Sequence, residues 1–279
     1  MGKSNQSTQE INSQAQNPLG TAPVGGLIAK FAIPAIISML VSAMYNIVDQ
    51  IFIGQGVGML GNAATNVAFP VTTIATALAL LLGIGGASNY NLEMGAGQEK
   101  KASGIAGTAL SSLVISGLIL AVIALVFLKP LLTLFGATTD VMPYAVDYTG
   151  ITALGLPFYI LSVGGNHVVR ADRSPTYSMT CIMIGAIINT ILDPVFIFVF
   201  GWGIKGAAWA TVIGQVVSGV LVIVYFWKFR NMYLTGAMLK PKMPYLKAII
   251  SLGLASCINQ IAMAIVQLSL IHISEPTRQ

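Results

Sequence analysis

Seven apolar runs, at about 27–53, 62–90, 103–128, 143–165, 175–200, 204–227 and 246–267, dominate the sequence. Each reaches or exceeds the roughly 20 residues that an α-helix needs to cross a bilayer. Inside lipid every backbone N–H and C=O needs a protein partner, which only helices and closed barrels supply. Barrel strands alternate in pieces of about ten residues, whereas these runs are long, continuous and rich in Ala, Leu, Ile and Gly. They predict an all-α membrane protein. With 55% hydrophobic and 8% charged residues and a mean hydropathy of +0.80, the composition excludes a soluble globular domain.

The net charge of +5 could suggest a polyanionic partner, but the basic residues sort by loop. With the N-terminus inside, Lys3, Lys30, Lys100, Lys101, Arg170, Arg173, Lys228, Arg230, Lys240, Lys242 and Lys247 fall on inner segments and only Lys129 and Lys205 on outer ones. Such a bias over short loops places the N-terminus and the loops near 91–102, 166–174 and 228–245 in the cytoplasm. Basicity therefore reports topology, and no nucleic-acid partner is expected. Residues 1–24 form a polar tail without the apolar core of a cleavable signal, so the first span is expected to act as its own targeting signal. Cys181 and Cys257 both fall within spans, as small buried hydrophobes.

Six spans, 25–228, read as one amino-terminal lobe. A basic segment, 229–245, containing "LKPKMPY" reads as a cytoplasmic linker, and 246–267 as the first helix of a second lobe. Since six is even, a second six-helix unit would start on the same side, giving parallel repeats about the membrane normal. The segment "LSLIHISEPTR", 268–278, breaks the pattern of the last span and resembles one reading frame of a transposase adapter used in preparing DNA libraries. Residues 268–279 are accordingly set aside from fold reasoning, and the parent protein is expected to continue beyond Gln267.

Of the nine acids, only Asp49 and Asp193 lie well inside spans. An ionised carboxylate at the bilayer centre costs about 2.5–3.5 kcal/mol even on lenient scales, so each is a functional candidate. Asp49 stands about four residues before the outer end of the first span near Ile53. Asp193 stands about seven before Phe200, and Thr211 about seven past Ile204 at the start of the sixth span. These depths agree to within about one turn. Asn189 shares a helical face with Asp193, and Pro194 removes the amide that would have bonded the carbonyl of Thr190. The donors are all oxygen, which suits a proton or a hard cation such as Na⁺ rather than a transition metal. A bland reading stays open for each. Asn189 or helix-end amides could satisfy Asp193, Asp49 could reach outer water, and Asn189 and Thr211 could serve interhelical hydrogen bonds.

Weaker features surround this set. The glycine-rich stretch "LLGIGGASNYNLEMGAG", 81–97, lacks a following strand and the Lys-Ser/Thr of a phosphate loop, so it reads as close helix packing. Tyr45, Met39, Met44, Met179 and Met183 could line an adaptable substrate surface, with Tyr45, Met44 and Met183 the preferred candidates; core or lipid packing is the alternative.

Taken in order, "YNIVDQIFIG" (45–54), "NVAFPVTTI" (66–74), "GAGQEKKA" (95–102), "INTILDPVFIF" (188–198) and "GIKGAAWATVIGQ" (203–215) resemble the amino-terminal half of a prokaryotic multidrug and toxic compound extrusion (MATE) transporter. The resemblance covers about 25–267. It implies one six-helix lobe of a twelve-helix fold, together with a truncated seventh helix, in the prokaryotic cytoplasmic (cell inner) membrane. It implies multidrug efflux: export of organic cations, xenobiotics and other amphipathic compounds by antiport against H⁺ or Na⁺, with no other cofactor and no obligate protein partner. It also maps the cation site onto Asp49, Asn189, Asp193 and Thr211. Two rivals remain. A flippase of related fold for lipid-linked saccharide would want an Arg- or Lys-lined cavity, which the spans as read here lack. An intramembrane aspartyl protease would want "GxGD", where this chain has "NIVDQ" and "ILDPV"; no enzyme is expected.

Overall fold

The computed structural model describes residues 24–227 and 236–274, with side chains described to Val266. The readings that fall on 1–23, 228–235 and 275–279, including Lys3, Lys228, Arg230 and the end of the adapter-like segment, lie outside the described residues. Among the described residues eight α-helices follow in order: α1 Val24–Gly56, α2 Met59–Gly95, α3 Glu99–Val126, α4 Leu128–Leu134, α5 Met142–Ala171, α6 Pro175–Pro194, α7 Ile204–Trp227 and α8 Met243–Ser274. A π-helical turn, Val195–Val199, extends α6, and a 3₁₀ turn, Gly236–Leu239, precedes α8. Among the described residues there is no strand, and seven of the helices are long and apolar enough to cross a membrane.

The helices overrun their apolar cores. A hydrophobic run ends where polar side chains begin, but the i→i−4 ladder continues until a cap or a turn stops it, so hydropathy under-reads both ends. Three readings change. Asp49 stands seven residues before the end of α1 at Gly56 rather than four from an end near Ile53, about 10 Å deep at 1.5 Å per residue, which brings it level with Asp193 and Thr211. The short helix α4 lies where a loop was expected. Arg170 belongs to the last turn of α5, so the expectation that the spans hold no arginine or lysine is wrong; Lys30 of α1, Lys100 and Lys101 of α3, Lys205 of α7 and Lys247 of α8 are further cases.

Packing follows from which faces are small. On α3, Ala102, Ala106, Ala109 and Leu113 are buried, while Ile115, Leu118, Ile119, Val122 and Val126 are exposed, the apolar-outside pattern of a helix that faces lipid. A larger core joins α2, α3, α5 and α7 around Leu113, Ile160, Val168 and Val222. A smaller one, with Ile53, Leu132, Ile197 and Ala207, closes the end where α1, α4, α6 and α7 meet. The glycine-rich stretch packs helices as expected. A Cβ on Gly83 of α2 would lie 2.5 Å from the Gly164 Cα of α5, a contact that only glycine permits. Helix α8 runs along α2, and Asn89 Nδ2 donates to the Ala248 carbonyl at 3.0 Å. Helix α1 packs chiefly against α6, far from it in sequence, and much less against its neighbour α2.

Candidate functional site

The α1–α6 pairing is what joins the two intramembrane acids. Asp49 is 7% exposed, Asn189 3% and Asp193 0%, and the carboxyl groups of Asp49 and Asp193 are close enough for each to act on the other's charge. Thr211 arrives from α7. A Cβ on Gly185 of α6 would meet the Gly214 carbonyl oxygen at 2.9 Å, and one on Gly214 would meet the Gly185 carbonyl oxygen at 2.8 Å, so the two backbones touch one turn from Asn189. Asn189 Nδ2 accordingly donates to Asp193 Oδ1 at 3.4 Å and to Thr211 Oγ1 at 3.5 Å. All four predicted residues come together.

The path of the chain past Asp193 is unusual. Pro194 has no N–H to give, and the helix answers by widening: the Phe200 N–H bonds the Val195 carbonyl, five residues back, at 2.9 Å. Phe196, Phe200 and Trp202 then cluster at the turn into α7, and the Trp202 indole is an amphipathic ring of the kind that settles at a membrane interface.

Three oxygens of the set, Asp49 Oδ1, Asn189 Oδ1 and Asp193 Oδ2, are buried without a hydrogen-bond partner among the described residues. Leaving a buried acceptor unmet costs about 1–3 kcal/mol, more for a charged one. Two facing carboxylates also repel unless a proton or a cation lies between them. The arrangement is a cradle of hard oxygens, suited to H⁺ or to Na⁺.

This cradle opens on a cavity of about 760 Å³ between α1, α2, α5, α6 and α7, whose wall includes Tyr45, Asp49, Tyr148, Asn189, Thr211 and Gln215. Of the candidate substrate contacts, Tyr45 and Met39 are on this wall. Met44 is 64% exposed on the outside of the bundle, and neither it nor Met183 lines the cavity.

Sequence reasoning missed two features. His167 and Arg170 are also on the wall; the signal was the four-residue spacing of Arg170 from the polar Asn166, which also lines the cavity, hidden by reading α5 as ending at residue 165. Asp172, taken as a loop residue, is 1% exposed. Its Oδ1 accepts from the Tyr90 hydroxyl at 2.8 Å and its Oδ2 from the Tyr225 hydroxyl at 2.7 Å, pinning the ends of α2, α5 and α7 together. Two tyrosines at matching ends of two spans were the available sign, since a buried hydroxyl needs a partner.

The MatE family profile matches residues 34–195. A multidrug export protein, MepA, of Staphylococcus haemolyticus is 31% identical over 70% of this chain and 43% of its own length. A FAD transporter of Shewanella oneidensis is 33% identical over 73% of this chain and 47% of its own length. Among solved structures, an outward-facing multidrug resistance MATE transporter of the MOP superfamily superposes with a TM-score of 0.79 at 29% identity, over 86% of this chain and 53% of that one. The chain spans about half the length of the curated relatives it matches.

Proposed function

The chain belongs to the MATE family of transporters, multi-pass membrane proteins and not enzymes, and on that premise we propose that it forms the amino-terminal lobe of a cation-coupled multidrug antiporter. The lobe sits in the prokaryotic inner membrane with its N-terminus in the cytoplasm, in keeping with the inward bias of its basic residues. Asp49 and Asp193 take up H⁺ or Na⁺, Asn189 and Thr211 complete the oxygen set, and the 760 Å³ cavity receives organic cations and other amphipathic compounds.

The observation that carries this reading is the pairing of two buried carboxyl groups across the α1–α6 contact beside that cavity. Two such groups respond as one unit, because the charge state of one changes the cost of charging the other. A cation bound between them lowers the affinity of the adjoining cavity for a cationic substrate, and the substrate lowers affinity for the ion by the same factor. Export against an inward ion gradient follows when the two occupants alternate.

The test is dye export from everted vesicles by the protein carrying both lobes, driven by an imposed H⁺ or Na⁺ gradient. Asp193→Asn is expected to leave the protein folded, since a neutral isostere is cheaper to bury, and to abolish gradient-driven export. Export at the unmodified rate would make Asp193 a structural acid and end this reading.

A further inference from the structure

At the end of the bundle opposite the carboxylate pair, the geometry points to a second polar subsite that carries the reverse charge. Arg170 lies in the last turn of α5. Its Nε donates to Ser178 Oγ, near the start of α6, at 3.0 Å. Ser178 is fifteen residues before Asp193 on one helix, so the guanidinium stands about 22 Å along the bundle from the carboxylates. Arg170 and His167 line the 760 Å³ cavity and also a second cavity of about 630 Å³, walled by Phe31, Asn91, Met94 and Arg173.

The ion pairs among the described residues are Lys101 with Glu93 and Lys205 with Asp147, and neither involves Arg170. Asp172, which also lines the second cavity, has both oxygens engaged by Tyr90 and Tyr225. Nε is the only Arg170 donor with a partner among the described residues. A half-buried guanidinium without a counter-ion keeps donors free for a ligand, and its planar fork matches an oxyanion.

We propose that Arg170, assisted by His167, is an anion subsite that binds a phosphate or carboxylate group. The group belongs either to an amphipathic solute within the cavity or to the headgroup of an anionic phospholipid entering between α1, α2 and α5. The subsite rests on the transporter reading only in taking the cavity as a path for solutes. Its separation from the acids means that one small solute cannot fill both ends, so the two ends act on different groups.

The experiment uses the chain in phosphatidylcholine nanodiscs, with 1-naphthyl phosphate as probe and 1-naphthol as the neutral control of the same ring. Charge-assisted hydrogen bonding predicts that the phosphate binds about tenfold more tightly. Arg170→Gln should erase that preference, Arg170→Lys should keep part of it because the charge remains but the fork is lost, and Asp193→Asn should leave it intact. Discs containing phosphatidylglycerol separate the sources. If the lipid weakens probe binding and is retained through native mass spectrometry by the unmodified chain but not by Arg170→Gln, the occupant is a headgroup; without competition it is a soluble solute. Equal binding of phosphate and naphthol, or a preference that survives in folded Arg170→Gln, overturns the proposal. Loss of the antiporter reading through an unaffected Asp193→Asn would leave this result standing.

Discussion

Gly185 and Gly214 face each other across α6 and α7 so closely that a methyl group on either would strike the other's carbonyl oxygen, at 2.9 and 2.8 Å respectively. That contact sets the separation at which Asn189 reaches Thr211 one turn further along. Gly214→Ala must therefore push the helices apart, at the roughly 1–3 kcal/mol typical of overpacking. Reduced thermal stability and weakened ²²Na⁺ binding are both expected. Gly95→Ala, where an added Cβ meets nothing within 4 Å, serves as the neutral control. Unchanged stability in Gly214→Ala would show that the interface yields without cost.

If the buried oxygens at Asp49, Asn189 and Asp193 hold a cation, protons and Na⁺ compete for them. Acidification should weaken ²²Na⁺ binding to the purified chain, because a protonated carboxyl no longer offers a full charge. Asp49→Asn and Asp193→Asn should each remove binding. Na⁺ binding that stayed constant from about pH 8 down to about pH 4, through the ordinary titration range of a carboxyl group, would count against competition.

Arg173 is the one non-glycine residue with positive φ, 61°, among the described residues. It ends α5 in the left-handed position usually held by glycine, while the Ser174 N–H reaches back to the Val169 carbonyl at 3.3 Å. A side chain there costs about 1–2 kcal/mol. Arg173→Gly should raise the melting temperature in detergent; a fall would mean that the side chain contributes more than its backbone strain costs.

Tyr225→Phe removes a hydroxyl that donates to Asp172 Oδ2 and accepts from the Ser174 hydroxyl, each at 2.7 Å. Hydrogen bonds to a charged group contribute about 1.5–3 kcal/mol. A loss of that size, read from denaturation, is expected, with hydrogen exchange rising at the ends of α5 and α7. Little change in either would show that the pin does not hold those ends.

Cysteines introduced at Val57 and Ala137 should react with a membrane-impermeant thiol reagent from outside, and ones at Gly97 and Gly236 should not, once Cys181 and Cys257 are replaced. The opposite pattern would invert the orientation drawn from the basic residues.

The number and place of the spans, and the candidacy of Asp49 and Asp193, were legible in the sequence because a bilayer penalises each charge and each unbonded peptide group locally, residue by residue. That Asn189 shares a face with Asp193 needed only the 3.6-residue turn. Hydropathy could not settle where each helix stopped, and so could not place Arg170 in the cavity wall or Asp172 in the core. Nor could it pair α1 with α6 in preference to α2. Lipid is as apolar as the helices themselves, so association in the membrane is decided by close fit and by interhelical hydrogen bonds. Such fits, Gly185 on Gly214 or the tyrosines on Asp172, join residues far apart in the chain, and only the tertiary structure brings them into contact.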